Sequence, residues 1–398
     1  MIALPNLRHL KAFQAVARLG SVGQASASIN ISQPAVTQAI AKLEYQIGAP
    51  VFDRRPTGSY PTEFGTILLR RVDRFFSMIE DGFSSLYPSA PESDRGHTPI
   101  GLVTSTQIRS LVATADATTA AQSASAMGIS ETALYRSARE LEHILNCRLF
   151  QASADGIVNT PAGAELTRKV GLAIREIEYA LEEVDVAKGR AAARLSIGVL
   201  PMSATSAFSS AVGDLTRRHP NIQIRIKEGN YLAMLNCLRL GQVDMNFGLL
   251  RRPDWANDVV EEPLYDDTFC VITRRGHPLK DVANPTIDDF MKYEWIMPAP
   301  GTARRRILEE FFDGGPRTSY AIETSSPAVI RSLLSTSDRI SILSRQEIDN
   351  DDRQDRFSIF PLRSQRPSVK GITTRANWIP TPIHLEFLEL LRTHLARS

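Results

Sequence analysis

The chain has 398 residues, 43% of them apolar, with 46 Lys and Arg against 44 Asp and Glu, a formal charge of +2. That length calls for two to four domains of roughly 100–200 residues, and no apolar run approaches the ~20 residues that cross a bilayer. Cys147, Cys237 and Cys270 are far apart and form no C-x-x-C pair, which speaks against a disulfide framework and for reduced thiols in the cytoplasm. Met1–Leu10 already carries Arg8 and His9 and lacks an apolar signal core, so neither secretion nor a membrane is expected.

In chain order, Asn6 can cap a helix whose stripe is Leu7, Leu10, Phe13, Val16 and Ala17. Gly20 ends it, and Ser21 caps an Ala/Ser-rich helix that ends near Asn30. Ser32 then caps a third helix. Val36, Ile40, Leu43 and Ile47 share one face of it and must bury, which leaves Gln33, Pro34, Thr37, Gln38 and Lys42 outward. Gln can form a bidentate pair with adenine, and the methyls of Thr37 and Ala35 suit the thymine methyl. Gly48 stops this helix. Val51-Phe52 reads as a short strand, followed by a basic turn of Arg54, Arg55 and Gly58 suited to phosphate or minor-groove contact. The whole is a winged helix-turn-helix. Thr62 caps a long helix to about Leu86, with a seam of Leu68, Val72, Phe75, Ile79 and Phe83. That seam fits a helix–helix dimer contact or packing against the protein's own core.

Pro88–Pro99, rich in Pro, Ser and charge, reads as a linker. The module then recurs without a gap, 98 positions on: Ser130 for Ser32, Leu141 for Leu43, Glu142 for Glu44, Phe150 for Phe52, Thr160 for Thr62 and Gly163 for Gly65. Leu134, Ala138, Leu141 and Leu145 restate the buried face. The surface is not restated. Glu131 stands where Gln33 does, and Ala152-Ser153-Ala154-Asp155 replaces Arg54-Arg55-Pro56-Thr57. Residues 1–87 hold nine Lys/Arg against six Asp/Glu, whereas residues 98–189 hold eight against eleven. Carboxylates at a helix start and in a wing repel phosphate, so weak or absent DNA binding is expected of the second copy, through Tyr135 and Arg136 if at all. Its long helix, Thr160 to Lys188, has a seam of Leu166, Val170, Ala173, Ile177, Leu181 and Val184. It is the expected dimer element nearest the sensor, with the second copy a spacer or interaction domain.

From Arg194 apolar runs alternate with helical ones. Strands are expected at 195–199, 222–228, 245–249, 269–273, 295–297, 320–323, 340–343, 358–360 and 370–374, and helices at 205–218, 232–240, 302–312, 327–335 and 382–396. This reads as α/β with parallel sheets, whose ligands bind beyond the carboxyl ends of strands. By that rule Pro201, Met202, Ser203, Gly248, Gly301, Thr302, Thr324, Ser325 and Ser326 line a cleft suited to a small polar ligand or a carboxylate on a helix N-terminus. Arg304, Arg305 and Arg306 either favour an anion or form a solvated face. His277 reads as a loop residue. No G-x-S-x-G, H-E-x-x-H or phosphate-cradling loop is present, so no enzyme, cofactor or metal is expected.

The run Leu7-Arg8-His9-Leu10-Lys11-Ala12-Phe13, Gly20-Ser21, Ser32 to Ile40, Lys42-Leu43-Glu44, Ile47-Gly48, Val51 to Arg54 and Thr62-x-x-Gly65 resembles the head of LysR-type transcriptional regulators. Leu240-Gly241-Gln242-Val243-Asp244, Glu262-Pro263-Leu264 and Gly276-His277-Pro278-Leu279 resemble the effector domain of that family, and Pro300-Gly301-Thr302, Glu323-Thr324-Ser325 and Thr373-Thr374-Arg375-Ala376-x-Trp378 its galactose-binding-protein-regulator branch. The family normally has a single head, so the repeat is a departure from it, and the chain is expected to hold two α-rich winged helix-turn-helix domains (1–87 and a degenerate 100–189, joined by linker 88–99). An α/β, two-lobed, periplasmic-binding-protein-like effector domain follows over 194–398. Lobe 1 is about 194–267 with 359–398, and lobe 2 about 268–358. The resemblance implies Gln33, Pro34, Thr37 and Gln38 at bases, Arg54 in the wing, and a sugar-related or aromatic-catabolism effector; with the outward face and basic turn, the expected DNA-binding set is Ser32, Gln33, Pro34, Ala35, Thr37, Gln38, Lys42, Arg54 and Arg55. It also implies dimerisation through the helix after Thr62, in a homodimer or homotetramer on double-stranded promoter DNA. The acidic second copy motivates a different reading, an interaction module that hetero-oligomerises with a related regulator without binding DNA specifically.

Overall fold

The computed structural model describes residues 4–87, 99–116, 120–153, 156–189, 193–201, 205–251, 256–312, 320–349, 356–362 and 368–397, in two compact units, Met1–Ala193 and Arg194–Ser398. In the first unit, α1 (Leu7–Leu19) starts at Asn6, whose side chain accepts from Arg8 N, and ends at Gly20 in the left-handed region at φ 69°. Ser21 caps α2 (Val22–Ser28) and Ser32 caps α3 (Gln33–Ile47). The α3 stripe Val36, Ile40, Leu43 and Ile47 is buried in one core with Leu10, Phe13 and Val16 of α1. Strands β1 (Phe52–Arg55) and β2 (Gly58–Pro61) form an antiparallel hairpin. Arg54 and Arg55 therefore lie on a strand, not in the expected turn, which is Pro56-Thr57. Helix α4 (Glu63–Ser84) follows from its cap at Thr62.

The second copy repeats the order: α5 (Ser105–Asp116), α6 (Ala120–Met127), α7 (Glu131–Ile144), the hairpin β3 (Phe150–Ser153) and β4 (Gly156–Asn159), then α8 (Pro161–Ala187). The residues shared by the copies build the same joint twice. Glu44 Oε1 accepts from Val51 N at 2.9 Å, and Glu142 Oε1 from Leu149 N at 2.8 Å. Thr62 Oγ1 donates to the Pro50 carbonyl at 2.7 Å, and Thr160 Oγ1 to that of Arg148 at 2.9 Å. Gly65 and Gly163 have no room for a Cβ, which would strike the carbonyls of Val51 and Leu149. The repeated motif is thus a fastening of recognition helix, wing and long helix.

The two copies are not beads on a string. The α4 seam, Leu68, Val72, Phe75, Ile79 and Phe83, is buried in one core with Leu166, Val170, Ala173, Ile177 and Val184 of α8. Gly82 faces Leu166 and Lys169, whereas Arg71 reaches Glu176 and Glu183, so the helices run antiparallel. The α4 seam, expected to meet either another chain or the protein's own core, and the α8 seam, expected to meet another chain, cover each other. Arg71 is fully buried at this contact. Its Nη1 lies 2.7 Å from Glu176 Oε2, its Nη2 2.6 Å from Glu183 Oε1, and its guanidinium 5.1 Å over the Tyr179 ring. Arg70 adds a second contact to Glu183 at 2.7 Å and Arg74 one to Glu176 at 3.2 Å. At the far end of the heads, Leu7 N donates to Ser105 Oγ at 3.0 Å. Leu7 and Ser105 are equivalent positions of the repeat. Counterparts touch each other only near a two-fold axis, so the copies are related as the halves of a dimer.

Among the described residues the second unit holds three sheets, one mixed, one antiparallel and one a parallel pair, rather than parallel sheets throughout. Its first sheet has the order β6 (Gln223–Glu228), β5 (Arg194–Val199), β7 (Met245–Leu249), β14 (Ser368–Arg375), β8 (Val259–Asp267). β5 is parallel to β6 and β7, but β14 is antiparallel to both of its neighbours. Leu195 and Ile197 pack under α9 (Thr205–Arg218) and α15 (Pro382–Leu395), while Gly198, on the other face, meets Met234 of α10 (Tyr231–Arg239). In the second lobe, β9 (Phe269–Arg274) pairs antiparallel with β12 (Ser341–Ser344) and β13 (Phe357–Pro361), and β10 (Ile296–Met297) parallel with β11 (Ile322–Glu323). Because β13 pairs with β9, it belongs to lobe 2, and the expected return to lobe 1 at residue 359 falls after Leu362 instead. Helices α11 (Ile287–Phe290) and α12 (Ala303–Phe311) lie with one face of this sheet's core and α13 (Pro327–Leu334) and α14 (Arg345–Asp349) with the other. His277 lies in a loop, as expected, but is fully buried there: its Nδ1 accepts from Leu279 N at 3.1 Å and its Nε2 lies 3.0 Å from the Asp338 carbonyl.

Candidate nucleic-acid interface and inter-lobe cleft

On α3, Ser32, Gln33, Pro34, Ala35, Thr37, Gln38 and Lys42 are all exposed. The buried stripe dictates this, since a helix with one face in the core turns the opposite face to solvent. Val22, Gln33, Pro34, Ala35, Thr37, Gln38 and Ala41 share one shallow concavity. Ser32 spends its hydroxyl on the helix cap, accepting from Ala35 N at 3.4 Å, and Thr37 Oγ1 donates to the Gln33 carbonyl at 3.1 Å. Both amide side chains, Gln33 and Gln38, stand on the open face. In the wing, Arg54 is 59% exposed and only 4.0 Å from Glu44, whereas Arg55 is tied to Asp53 at 2.7 Å and lies over the Tyr60 ring. Arg54 is the better placed of the two to move onto a phosphate.

On α7 the corresponding face begins with exposed Glu131 in the first turn, and Arg136 is 75% exposed at 3.9 Å from Glu140. Asp155 lies outside the described residues. A carboxylate in the first turn occupies the helix end that attracts anions, so α7 presents negative charge where α3 presents a neutral amide.

Between the lobes of the second unit, a cleft of about 280 Å³ lies near the small end of ligand pockets. Lobe 1 contributes Leu200, Pro201, Asn230, Tyr231, Leu232, Leu249 and Arg251; lobe 2 contributes Pro300, Gly301, Thr302, Ala303, Arg304 and Ser325. Of the expected lining residues, Pro201, Gly301, Thr302 and Ser325 come together here, and Met202 and Ser203 lie outside the described residues. Gly248 does not reach the cleft, because it is held inside the sheet opposite Gly371. Thr324 and Ser326 serve the backbone instead: Thr324 Oγ1 accepts from Ser326 N, and Ser326 caps α13. Asn230, Tyr231 and Arg251 were missed by sequence reasoning, although the strand-end rule applied to β6 and β7 leads directly to them.

The electrostatics of the cleft are positive. Arg304 is 2% exposed, held at 2.6 Å by Glu347, and its buried Nε has no hydrogen-bond partner among the described residues. Arg251 lies 4.9 Å over the Tyr231 ring. Burial and the nearby charge of Arg306 pull the Arg251 guanidinium below its ordinary value. Burial and the adjoining Glu261 carboxylate, 3.0 Å from its hydroxyl, push the Tyr231 phenol up. Arg305 is drawn off to Glu309, and Arg306 is exposed near Glu310. Thr302 caps α12 at the cleft wall and turns that helix's N-terminus toward it. Helix N-termini and guanidinium groups both favour an anion.

Winged heads that pair through long helices, together with a two-lobed α/β unit with a cleft, define the architecture of a DNA-binding regulator with an effector-binding domain. The family models agree. The model of the LysR substrate binding domain matches residues 188–396, and that of the bacterial regulatory helix-turn-helix proteins of the lysR family matches twice, at 7–66 and 105–164. The chain belongs to the LysR family of transcriptional regulators, a family of DNA-binding proteins that are not enzymes. It is 27% identical to the HTH-type transcriptional regulator GalR of Pseudomonas putida over 394 residues, 98% of each chain, so the segment holding the second copy is aligned there as well. It is 27% identical to the regulator PcaQ of Agrobacterium fabrum, over 65% of this chain and 85% of that one, and 23% identical to the regulator GbpR of Azospirillum brasilense, over 56% and 66%. In fold it is similar to full-length OxyR from Pseudomonas aeruginosa, with a TM-score of 0.54 at 21% identity over 73% of this chain and 93% of that one. Among the described residues no helix is long and apolar enough to cross a membrane.

Proposed function

We propose that the protein is a cytoplasmic regulator that reads promoter DNA through Gln33, Pro34, Ala35, Thr37, Gln38 and Lys42 of α3, gripping phosphate with Arg54. A small anion with an apolar body, a carboxylic acid rather than a sugar, occupies the inter-lobe cleft and biases the arrangement of the heads. The observation that carries the DNA reading is the contrast between the copies. Residues that make the joint are kept in both; exposed Gln33 and Arg54 are not, with Glu131 and Ala152 at the corresponding positions. The effector class follows from the lining: Leu200, Leu232, Leu249 and two prolines for the body, Arg251, Arg304 and a helix N-terminus for the charge. A ligand can shift the protein only by its differential affinity for two arrangements, and residues contributed by both lobes supply that difference on closure.

Arg54→Ala tests the wing assignment. Each phosphate contact adds about 0.9 to the slope of log K against log salt, so the variant's slope on promoter DNA flattens by about that amount. An unchanged slope and affinity would remove Arg54 from the interface. The alternative, an interaction module that hetero-oligomerises with a related regulator without binding DNA specifically, would have to use a surface other than the α4 seam, which α8 covers in this chain.

A further inference from the structure

We propose that the second winged copy is the built-in dimerisation partner of the first, so that each chain assembles its own head pair and carries a single base-reading helix. Three observations converge on this. The α4 seam is buried against α8. Leu7 and Ser105, counterparts in the repeat, touch each other as residues at a two-fold axis do. The charges at the seam also match only in the unlike pairing. Arg71 of α4 needs Glu176 and Glu183 of α8; the positions on α4 that correspond to those two carboxylates are Met78 and Ser85.

Pairing α4 with α4 of a second chain would therefore bury two Arg71 guanidinium groups opposite thioethers and hydroxyls, and an unpaired buried charge costs several kcal/mol. The like pairing is selected against, and the unlike one is already within the chain. The connection from Ser84 to Ser105 is short, and a short tether presents its partner at an effective concentration on the order of mM, well above that of a second chain in a cell.

The functional consequence is asymmetry. A paired head with Gln33 on one reading helix and Glu131 on the other recognises one half-site by sequence, where a symmetric pair recognises two. It also blocks exchange of heads with single-headed relatives, since the surface they would use is covered. Further assembly must run through other surfaces.

The full-length double variant Gly82→Cys/Lys169→Cys tests the pairing. A Cβ at Gly82 would stand 3.6 Å from that of Lys169, inside the roughly 3.5–4.5 Å range of a disulfide. After oxidation, a denaturing gel without reductant should show a reducible mobility shift at monomer mass, with the 82–169 linkage identified by peptide mass. The linkage at dimer mass, or in neither form, overturns pairing within the chain. The wild-type chain gives the same reading if the cysteines prevent folding. Light and heavy-isotope chains are refolded together and Lys169, whose Nζ lies 3.4 Å from the Asp81 carbonyl, is coupled to α4 carboxylates. Links within one isotope support the proposal, and mixed links overturn it.

The single-reader part rests on the proposed DNA function and is tested separately. Gln33→Ala should lower discrimination between the operator and a one-base variant by on the order of ten-fold, and Glu131→Ala should leave it unchanged. Equal losses overturn the asymmetry. Binding by neither the wild type nor the variants would count against the DNA reading and leave the cross-linking result standing.

Discussion

Replacing Arg71 with Met isolates the seam between the two copies. Met keeps most of the volume and removes the charge, leaving Glu176 and Glu183 at 5% and 7% side-chain exposure without their central cation. Removing one partner of a buried pair costs about 3–5 kcal/mol. Here Arg70 and Arg74, 47% and 24% exposed, still reach one carboxylate each, which sets the expected cost at the lower end, about 3 kcal/mol. With a urea m-value of about 2 kcal/mol per M, the midpoint falls by about 1.5 M. The tryptophans make the assay selective. Trp255, Trp295 and Trp378 all lie in the second unit, so fluorescence follows that unit alone, whereas far-ultraviolet circular dichroism also follows the helical heads. The dichroism transition of the heads should move and the fluorescence transition should not. Arg71→Met/Glu176→Leu/Glu183→Leu should regain most of the loss, because exchanging a whole buried ion cluster for apolar side chains is neutral or favourable. A midpoint shift below about 0.3 M for the single variant, or an equal shift in fluorescence, would refute a buried clamp between α4 and α8.

Gly163→Ala drives a Cβ into the Leu149 carbonyl, and Gly65→Ala into that of Val51; each should cost the heads about 1–3 kcal/mol by chemical denaturation, and no loss in either would contradict a shared joint. Arg251→Gln should weaken a carboxylate ligand of the cleft by about 10–100-fold, the loss of one charged hydrogen bond, while leaving the ligand-free melting temperature unchanged or higher, since the repulsion from Arg306 is relieved; thermal shift across a panel of carboxylic acids and matching neutral sugars reads both. Burial holds the His277 imidazole below its ordinary value of 6.5, against the upward pull of the Asp338 carbonyl. The fold therefore favours the neutral ring. Its contribution is fully present above the unfolded value, about 6.5, and is lost as pH falls through the lower folded value. Tryptophan-monitored melting should drop between about pH 7.5 and 5, less so in His277→Gln, and equal drops would show that another group titrates.

Much of the architecture was legible because its signals are local. Asn6, Ser21, Ser32, Thr62, Ser130 and Thr160 cap the helices expected of them, since a short polar side chain can satisfy the free N–H groups of one helix end only. Non-local choices were less accessible. Strand β8 went unnoticed because Glu261-Glu262-Pro263 lacks the alternation of a half-buried strand, and Pro263 is tolerated only because β8 is the sheet edge. The parallel reading of the sheets failed at β14, which enters from the second lobe rather than over a crossover helix. A helix face states that it must be covered and not what covers it, so the α4 seam was compatible with a second chain or with the same one. Its resolving signal was charge: Arg71 in an otherwise apolar seam, with Glu176 and Glu183 seven apart on a single face of α8.

The duplication makes function legible by subtraction. Two copies under the same packing demands act as each other's control. What both retain, Glu44 and Glu142, Thr62 and Thr160, Gly65 and Gly163, occupies joints that are built alike in the two copies. What they do not share, Gln33 and Glu131 or Arg54 and Ala152, belongs to the starts of α3 and α7 and to the wings, and Gln33, Glu131 and Arg54 are exposed. A residue that folding does not require, and that changes when a copy is relieved of its task, is one that the task required. By that reasoning the exposed face of α3 is the proposed reading face, and the clamp at Arg71 fits the proposed role of the second copy as a pairing partner.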